Sequence, residues 1–290
     1  MSHTKELKQR FENIHDLRGI ISAMKSLAFM ETKKLHRYLA DQGRGASSIE
    51  AAAEDFLTFY PLPFDSADSS KSLLVVIGAE RGFCGNFNEE LIAVAHRICS
   101  THHPSQSGQP AIIAVGERLS AKLQHALPIL QTIHGATFAE EVPGVLAQLA
   151  RTVNTEVESG RYRLANLKIL AHQYGVTGVS TVQPLPSTAK HARTFGTPPH
   201  LTLAPPRLFS LILEQYLRFT LYHIFYSSLM SENAMRTTHL DSALQRLDSG
   251  YGQLKLEYHR ARQEEITEEI EVLLMNATAM NPRASKENLL

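Results

Sequence analysis

Residues Leu73–Ile92 read LLVVIGAERGFCGNFNEELI: an unbroken apolar run, a turn holding three glycines, then an amphipathic stretch. A short apolar run closed by glycine reads as a buried strand, and a strand entering a helix through a glycine-rich turn is where phosphate-binding loops sit in α/β proteins. The spacing argues against a phosphate. Gly78, Gly82 and Gly85 form G-x-x-x-G-x-x-G, whereas a dinucleotide fingerprint needs G-x-G-x-x-G with an acidic residue about 20 positions later. A P-loop ends in Gly-Lys-Ser/Thr so that the lysine reaches the terminal phosphates; this loop ends Gly85-Asn86-Phe87-Asn88. The stretch is read as a tight strand-to-helix turn. Gly82 and Gly85 supply positive φ, Asn86 or Asn88 caps the helix, and Glu80 and Arg81 form a solvated or structural pair.

Outward from this turn the texture alternates. LLVVIG, AIIAVG (from Ala111) and NLKILAHQY (from Asn166) read as buried strands, and STVQPLPS (from Ser180) as an edge strand because of its prolines. Asn88–Cys99, Glu117–His125 and Gly144–Glu158 read as helices between them. This alternation predicts a parallel α/β sheet. The two ends of the chain differ from this pattern. Roughly the first 55 residues contain no proline, and Leu7, Phe11, Ile14, Leu17, Ile21, Met24, Ala28, Leu35 and Tyr38 mark one apolar stripe of a helix that Gly43 and Gly45 interrupt. YPLPFDSADSSKS, Tyr60–Ser72, reads as a linker. No proline falls between Pro206 and Pro282, and there Leu240, Leu244, Leu247, Tyr251, Leu254, Tyr258 and Ala261 make a heptad seam. A continuous helix over that span is about 110 Å long. Its only partner of matching character is the N-terminal helix, so the two termini are expected to pair as an antiparallel coiled coil projecting from a globular base. The fold class is α/β, with a helix over 1–58, a Rossmann-like α/β domain over 73–200 and a helix over 207–281.

The chain has 290 residues, 43% of them hydrophobic, which is enough for a core. Twenty-nine basic and twenty-nine acidic residues cancel, so the total charge points to neither nucleic acid nor an anionic membrane. Cys84 and Cys99 stand roughly four helical turns apart, too far for a disulfide. The opening residues, charged from Lys5, lack the apolar core of a secretory signal, and no apolar run reaches the ~20 residues of a membrane span. Among fourteen histidines the pair His102–His103 lies in a polar stretch without further ligands at zinc-site spacing. No catalytic constellation stands out, and neither a metal nor a cofactor is expected.

Three separated stretches resemble one family. KQRFENIHDLRGIISAMKSLAFMETKKL carries an I-x-x-A-M-K core at Ile20–Lys25, the turn carries RGFCGNFN at Arg81–Asn88, and the last helix carries SENAMR at Ser231–Arg236 and EYHRARQEEITEEI at Glu257–Ile270. In this order and spacing they resemble the gamma subunit of the F-type rotary ATP synthase. The resemblance implies a shaft of paired terminal helices around a Rossmann-like domain that binds no nucleotide. It implies a non-catalytic central-stalk rotor that couples ion flow to ATP synthesis or hydrolysis, with alpha, beta and epsilon subunits and the c-ring as partners. It places the chain, through the complex, on the cytoplasmic side of a bacterial inner membrane. Arg81, Gly82, Cys84, Gly85 and Asn88 become a structural loop of the globular domain. Met24, Lys25, Arg262, Gln263 and Thr267 become contacts to the beta subunit, with Met24 and Lys25 near the level of Arg262. The bulky run SLAFMETKKLHRYL, the glycines Gly250 and Gly252 inside the last helix, and the tail NATAMNPRASKENLL depart from the family pattern and point to a divergent branch. The alternative reading is a nucleotide-binding α/β enzyme with coiled-coil arms.

Overall fold

The computed structural model describes residues 3–60, 71–101, 109–184 and 200–280. Most of the expected linker, the pair His102–His103, Pro186, Pro198 and Pro199, and the tail from 281 onward lie outside these residues. The described chain forms two compact units, Met1–Ser26 with Leu240–Leu290, and Leu27–His239.

Two long helices account for both ends: α1, His3–Phe59, and α5, Pro205–Met280. The helix α5 starts on Pro205, whose fixed φ suits a first helical position, and the free N–H groups of Arg207 and Leu208 donate to the Ala204 carbonyl. Gly43 and Gly45 do not interrupt α1, which corrects the expectation from sequence. An isolated helical glycine costs about 1 kcal/mol relative to alanine, too little to break a helix held by tertiary packing. Gly45 has a packing reason: a Cβ there would lie 2.4 Å from the Phe219 ring of α5.

In the first unit the helices run antiparallel. Phe11 stacks on Tyr251 and Tyr258 with centroids 4.6 and 6.4 Å apart, Arg18 Nε donates to Asp248 Oδ1 at 2.6 Å, and Lys25 Nζ pairs with Asp241 Oδ1. The seam is built as the heptad demands: Leu240 and Ala261 are buried and Leu244, Leu247, Tyr251, Leu254 and Tyr258 half-buried. Leu17, expected in the α1 stripe, is instead 48% exposed. Its neighbours in the stripe, Ile14 and Ile21, carry the contact. The ion pairs on this surface are about half exposed and contribute under ~1 kcal/mol each, so apolar burial holds the pair.

The second unit contains a five-stranded sheet of order β3-β2-β1-β4-β5. Its strands are β1 Lys71–Ile77, β2 Ala111–Val115, β3 Ile129–Ile133, β4 Tyr162–His172 and β5 Val179–Val182. The first four are parallel, and β5 runs antiparallel to β4 as an edge. The run LLVVI is apolar throughout because both faces of β1 are covered. Leu73, Val75 and Ile77 face α4 (Val142–Glu158) and the Leu35 and Ile224–Met230 stretches of the long helices, while Leu74 and Val76 face α2 (Phe87–Thr101) and α3 (Glu117–Leu123). The strand β3 is absent from the sequence reading. As an edge strand it buries only Ile133 fully and leaves Leu130, Gln131 and Thr132 exposed, so it carries no apolar run.

Candidate functional site

The three motif stretches meet the structure at different places. The turn after β1 and the SENAMR stretch of α5 come together. Arg236 sits nearly buried and spends its guanidinium four ways: Nη2 pairs with Glu232 Oε1 and reaches the Arg81 carbonyl at 3.4 Å, Nη1 donates to Asn233 Oδ1 at 2.8 Å, and Nε donates to the Gly82 carbonyl at 3.2 Å. The Glu232–Arg236 spacing of four puts both side chains on one helix face. That spacing was readable in the sequence; that its target is the glycine turn was not. Burial drives the Glu232 carboxyl up to about 7 against the pull of the Arg236 charge. Cys84, also buried, is raised by the loss of water around its thiol, and its Sγ lies 3.8 Å from the Arg81 carbonyl.

The polar groups of this turn face inward. Asn88 is not the helix cap expected from sequence; it lies buried in the first turn of α2, and its Oδ1 accepts the Ala79 N–H at 3.0 Å. A phosphate loop would leave such an N–H for its ligand. Asn86 precedes the helix, and its Nδ2 donates to Glu90 Oε1 at 2.6 Å. Of the turn's glycines Gly78 serves close approach: a Cβ there would fall 2.6 Å from Leu119 Cβ and 2.8 Å from Asn88 Oδ1. Positive φ belongs to Phe83 (65°) and Gly85 (61°), not to Gly82. Alanine at Gly85 is therefore expected to cost about 1 kcal/mol or more, while alanine at Gly82, which meets only Arg118 Nε at 4.0 Å, leaves urea-unfolding stability within about 0.5 kcal/mol of the parent.

Glu80 is structural, but its partner is not Arg81. Its Oε2 accepts the N–H of Glu117 at 2.9 Å and of Gly135 at 2.6 Å, joining the loops that follow β1, β2 and β3. Two further tethers carry no sequence signature. Glu31 of α1, buried, accepts the Ala139 N–H at 2.7 Å, and His172 Nε2 sits 3.0 Å from the Phe87 carbonyl with its ring stacked on Phe87. Glu31 and its neighbour Lys34, which pairs with Glu140, give part of the bulky α1 run a role in fastening the start of α4.

The residues expected to face a partner divide into two groups. Arg262, Gln263 and Thr267 are all exposed on α5, with the Thr267 hydroxyl donating to the Gln263 carbonyl at 2.8 Å. Met24 and Lys25 are half-buried, and Lys25 is committed to Asp241. The antiparallel register therefore places them level with Asp241, about 20 residues or ~30 Å along α5 from Arg262. The expectation that they share one level is corrected: the pairing of Phe11 with Tyr251 and Tyr258 sets the residues level with Arg262 near the very start of α1.

Comparison with known proteins converges on one family. Residues 3–280 match the family model described as ATP synthase. The ATP synthase gamma chain of Chlorobium phaeobacteroides (strain BS1) is 22% identical over 97% of this chain and 99% of its own length. That of Moorella thermoacetica is 24% identical over 97% of this chain and 100% of its own. Among solved structures, the rotor of the Euglena gracilis mitochondrial ATP synthase is similar with a TM-score of 0.55 at 15% identity, covering 91% of this chain and 98% of that one. The central stalk and c-ring structure of the Tetrahymena thermophila enzyme gives 0.54 at 18%, covering 77% and 99%. With a family match across nearly its whole described length, and with the paired terminal helices and central sheet that the three motifs imply, the chain belongs to the ATP synthase family, that of the gamma chains.

Proposed function

We propose that this protein is the central-stalk subunit of a rotary ATP synthase and has no catalytic centre of its own. The observation that carries the reading is the antiparallel pairing of α1 and α5 in a chain whose residues 3–280 match the ATP synthase family. A rotor needs a stiff element able to present a different face to each catalytic subunit in turn. Each angle of that element favours one conformation of the surrounding beta subunits through differential contacts, so rotation is a sequence of population shifts. Alpha, beta and epsilon subunits and the c-ring are the partners on this reading, and the chain reaches the cytoplasmic face of the membrane through them. Among the described residues no helix is long and apolar enough to cross a membrane. The inward-facing polar groups of the turn after β1 count against the nucleotide-binding alternative. Equilibrium dialysis of the purified chain against ATP and NAD separates the two: micromolar binding supports the enzyme, and assembly with alpha and beta subunits into an active ATPase supports the rotor.

Arg262, Gln263 and Thr267 are the proposed contact to the beta subunit. The Arg262 guanidinium is exposed, and among the described residues no carboxylate lies within ion-pair distance of it, which leaves its fork free for a carboxylate on a partner. Arg262→Ala combined with Gln263→Leu is expected to lower ATP turnover of the reconstituted complex and to weaken its coupling to ion movement, with the melting of the free chain unchanged. Parental turnover and coupling in the double variant remove these residues from torque transfer.

A further inference from the structure

We propose that the loops following β1, β2 and β3 hold a divalent transition-metal ion of the zinc class through Glu80, Glu117 and His134. Each of these residues can bring one ligand atom within 4.8 Å of the other two. They are far apart in sequence and are brought together because β1, β2 and β3 are neighbours in the sheet, each sending its carboxyl end to the same edge.

The inner part of the site is fixed before any ion arrives. The Glu80 side chain is only 15% exposed, and its Oε2 is held by the N–H groups of Glu117 and Gly135. Such anchoring is what the orienting partners of a ligating carboxylate supply in metal sites. It leaves Oε1 facing His134 Nδ1 at 3.5 Å. The loops approach so closely that a Cβ on Gly135 would meet Glu80 Oε2 at 3.1 Å, and one on Gly116 would meet the Gly78 carbonyl at 2.6 Å. Glu117 and His134 are exposed and complete the ligand set from the solvent side.

The donor set selects the ion. One imidazole nitrogen with two carboxylates suits a borderline divalent cation, whereas calcium and magnesium sites are built from oxygen alone and copper(I) prefers sulfur. Three protein ligands with water in the remaining position is a familiar zinc arrangement. The bound ion would neutralise two facing carboxylates and clip together three loops, one of which continues into the Arg81–Asn88 turn. The sequence reading expected no metal because these ligands share no local spacing. The proposal does not depend on the rotor role.

The test uses the full chain, stripped with a chelator and titrated with ZnCl2 by calorimetry, then with CoCl2 by visible absorption. Wild type is expected to bind one zinc saturably at this site and to melt at a higher temperature with zinc present. His134→Ala and Glu117→Gln are each expected to weaken that binding roughly tenfold or more and to abolish the rise in melting temperature. The cobalt spectrum should lose intensity or shift in His134→Ala. Both replaced side chains are exposed, so the fold should survive, and circular dichroism confirms it. The chain holds fourteen histidines, so a site elsewhere would persist in both variants. Unchanged zinc affinity in both variants, or no saturable binding by wild type, overturns the proposal.

Discussion

Arg236→Ala is expected to lower the stability of the isolated chain by about 3–5 kcal/mol, read as a shift in its urea-unfolding midpoint. The cost comes from what the arginine leaves behind. Glu232 is 4% exposed and, without the arginine, must either stay ionised with no counter-charge or take up a proton, while the Gly82 carbonyl and Asn233 Oδ1 would each lose a donor. Removing one partner of a buried pair costs far more than the pair itself contributes, because the group left behind keeps a penalty, either the desolvation of an unpaired charge or the protonation that avoids it. A double variant, Glu232→Gln with Arg236→Met, should recover part of the loss by deleting both charges together. A single Arg236→Ala variant as stable as the parent would show that the turn is held by other contacts.

The same pair gives the protein a pH signature. The Glu232 carboxyl titrates near 7 in the folded chain, pushed up mainly by burial, and near its ordinary value of 4.5 when unfolded. Between those values the folded state binds more protons than the unfolded state, so this group makes stability fall as pH rises from about 4.5 to about 7. Above that window its contribution is constant. Glu232→Gln should flatten the slope, seen by comparing urea midpoints of the two proteins at pH 5 and pH 8.

Gly116→Ala is expected to cost about 3 kcal/mol or more, making it the most damaging small substitution in the central sheet. Gly116 follows β2 with φ 110°, a conformation that side chains rarely adopt. An added Cβ would lie 2.6 Å from the Gly78 carbonyl oxygen, 2.8 Å from that of Ala79 and 3.0 Å from its carbonyl carbon. These are backbone atoms, so no rotamer change relieves the clash, and the ends of β1 and β2 would have to part. The Gly78 N–H donates to the Val115 carbonyl and the Gly116 N–H to the Ile133 carbonyl, so the disturbance reaches β3. Gly144→Ala is the control. It lies in α4 with nothing within 4 Å of the new Cβ, and alanine there should stabilise the chain slightly. A Gly116→Ala protein with an unshifted urea midpoint would refute the close-approach account.

Features with a local period were legible in the residues. The heptad from Leu240 to Ala261 predicts a buried seam and the structure buries or half-buries each member, because a helix repeats its face every 3.6 residues whatever it packs against. The strands β1, β2 and β4 were legible because burial on both faces demands an unbroken apolar run. The strand β3 was not, since an edge strand can be mostly polar. Gly82 illustrates the limit within the turn itself: glycine is compatible with positive φ but does not require it, and the backbone put that conformation at Phe83 and Gly85.

The sequence by itself determined the paired terminal helices, the α/β centre and the family. Only the tertiary structure decided which distant groups meet: Arg236 with the carbonyls of Arg81 and Gly82, Glu80 with the N–H groups of Glu117 and Gly135, and Lys25 with Asp241 rather than near Arg262. The physical reason is that periodicity records which face of an element is apolar but not its axial position against a partner more than 200 residues away. That position is set by the summed fit of side chains such as Phe11 between Tyr251 and Tyr258, to which no local pattern in either segment corresponds.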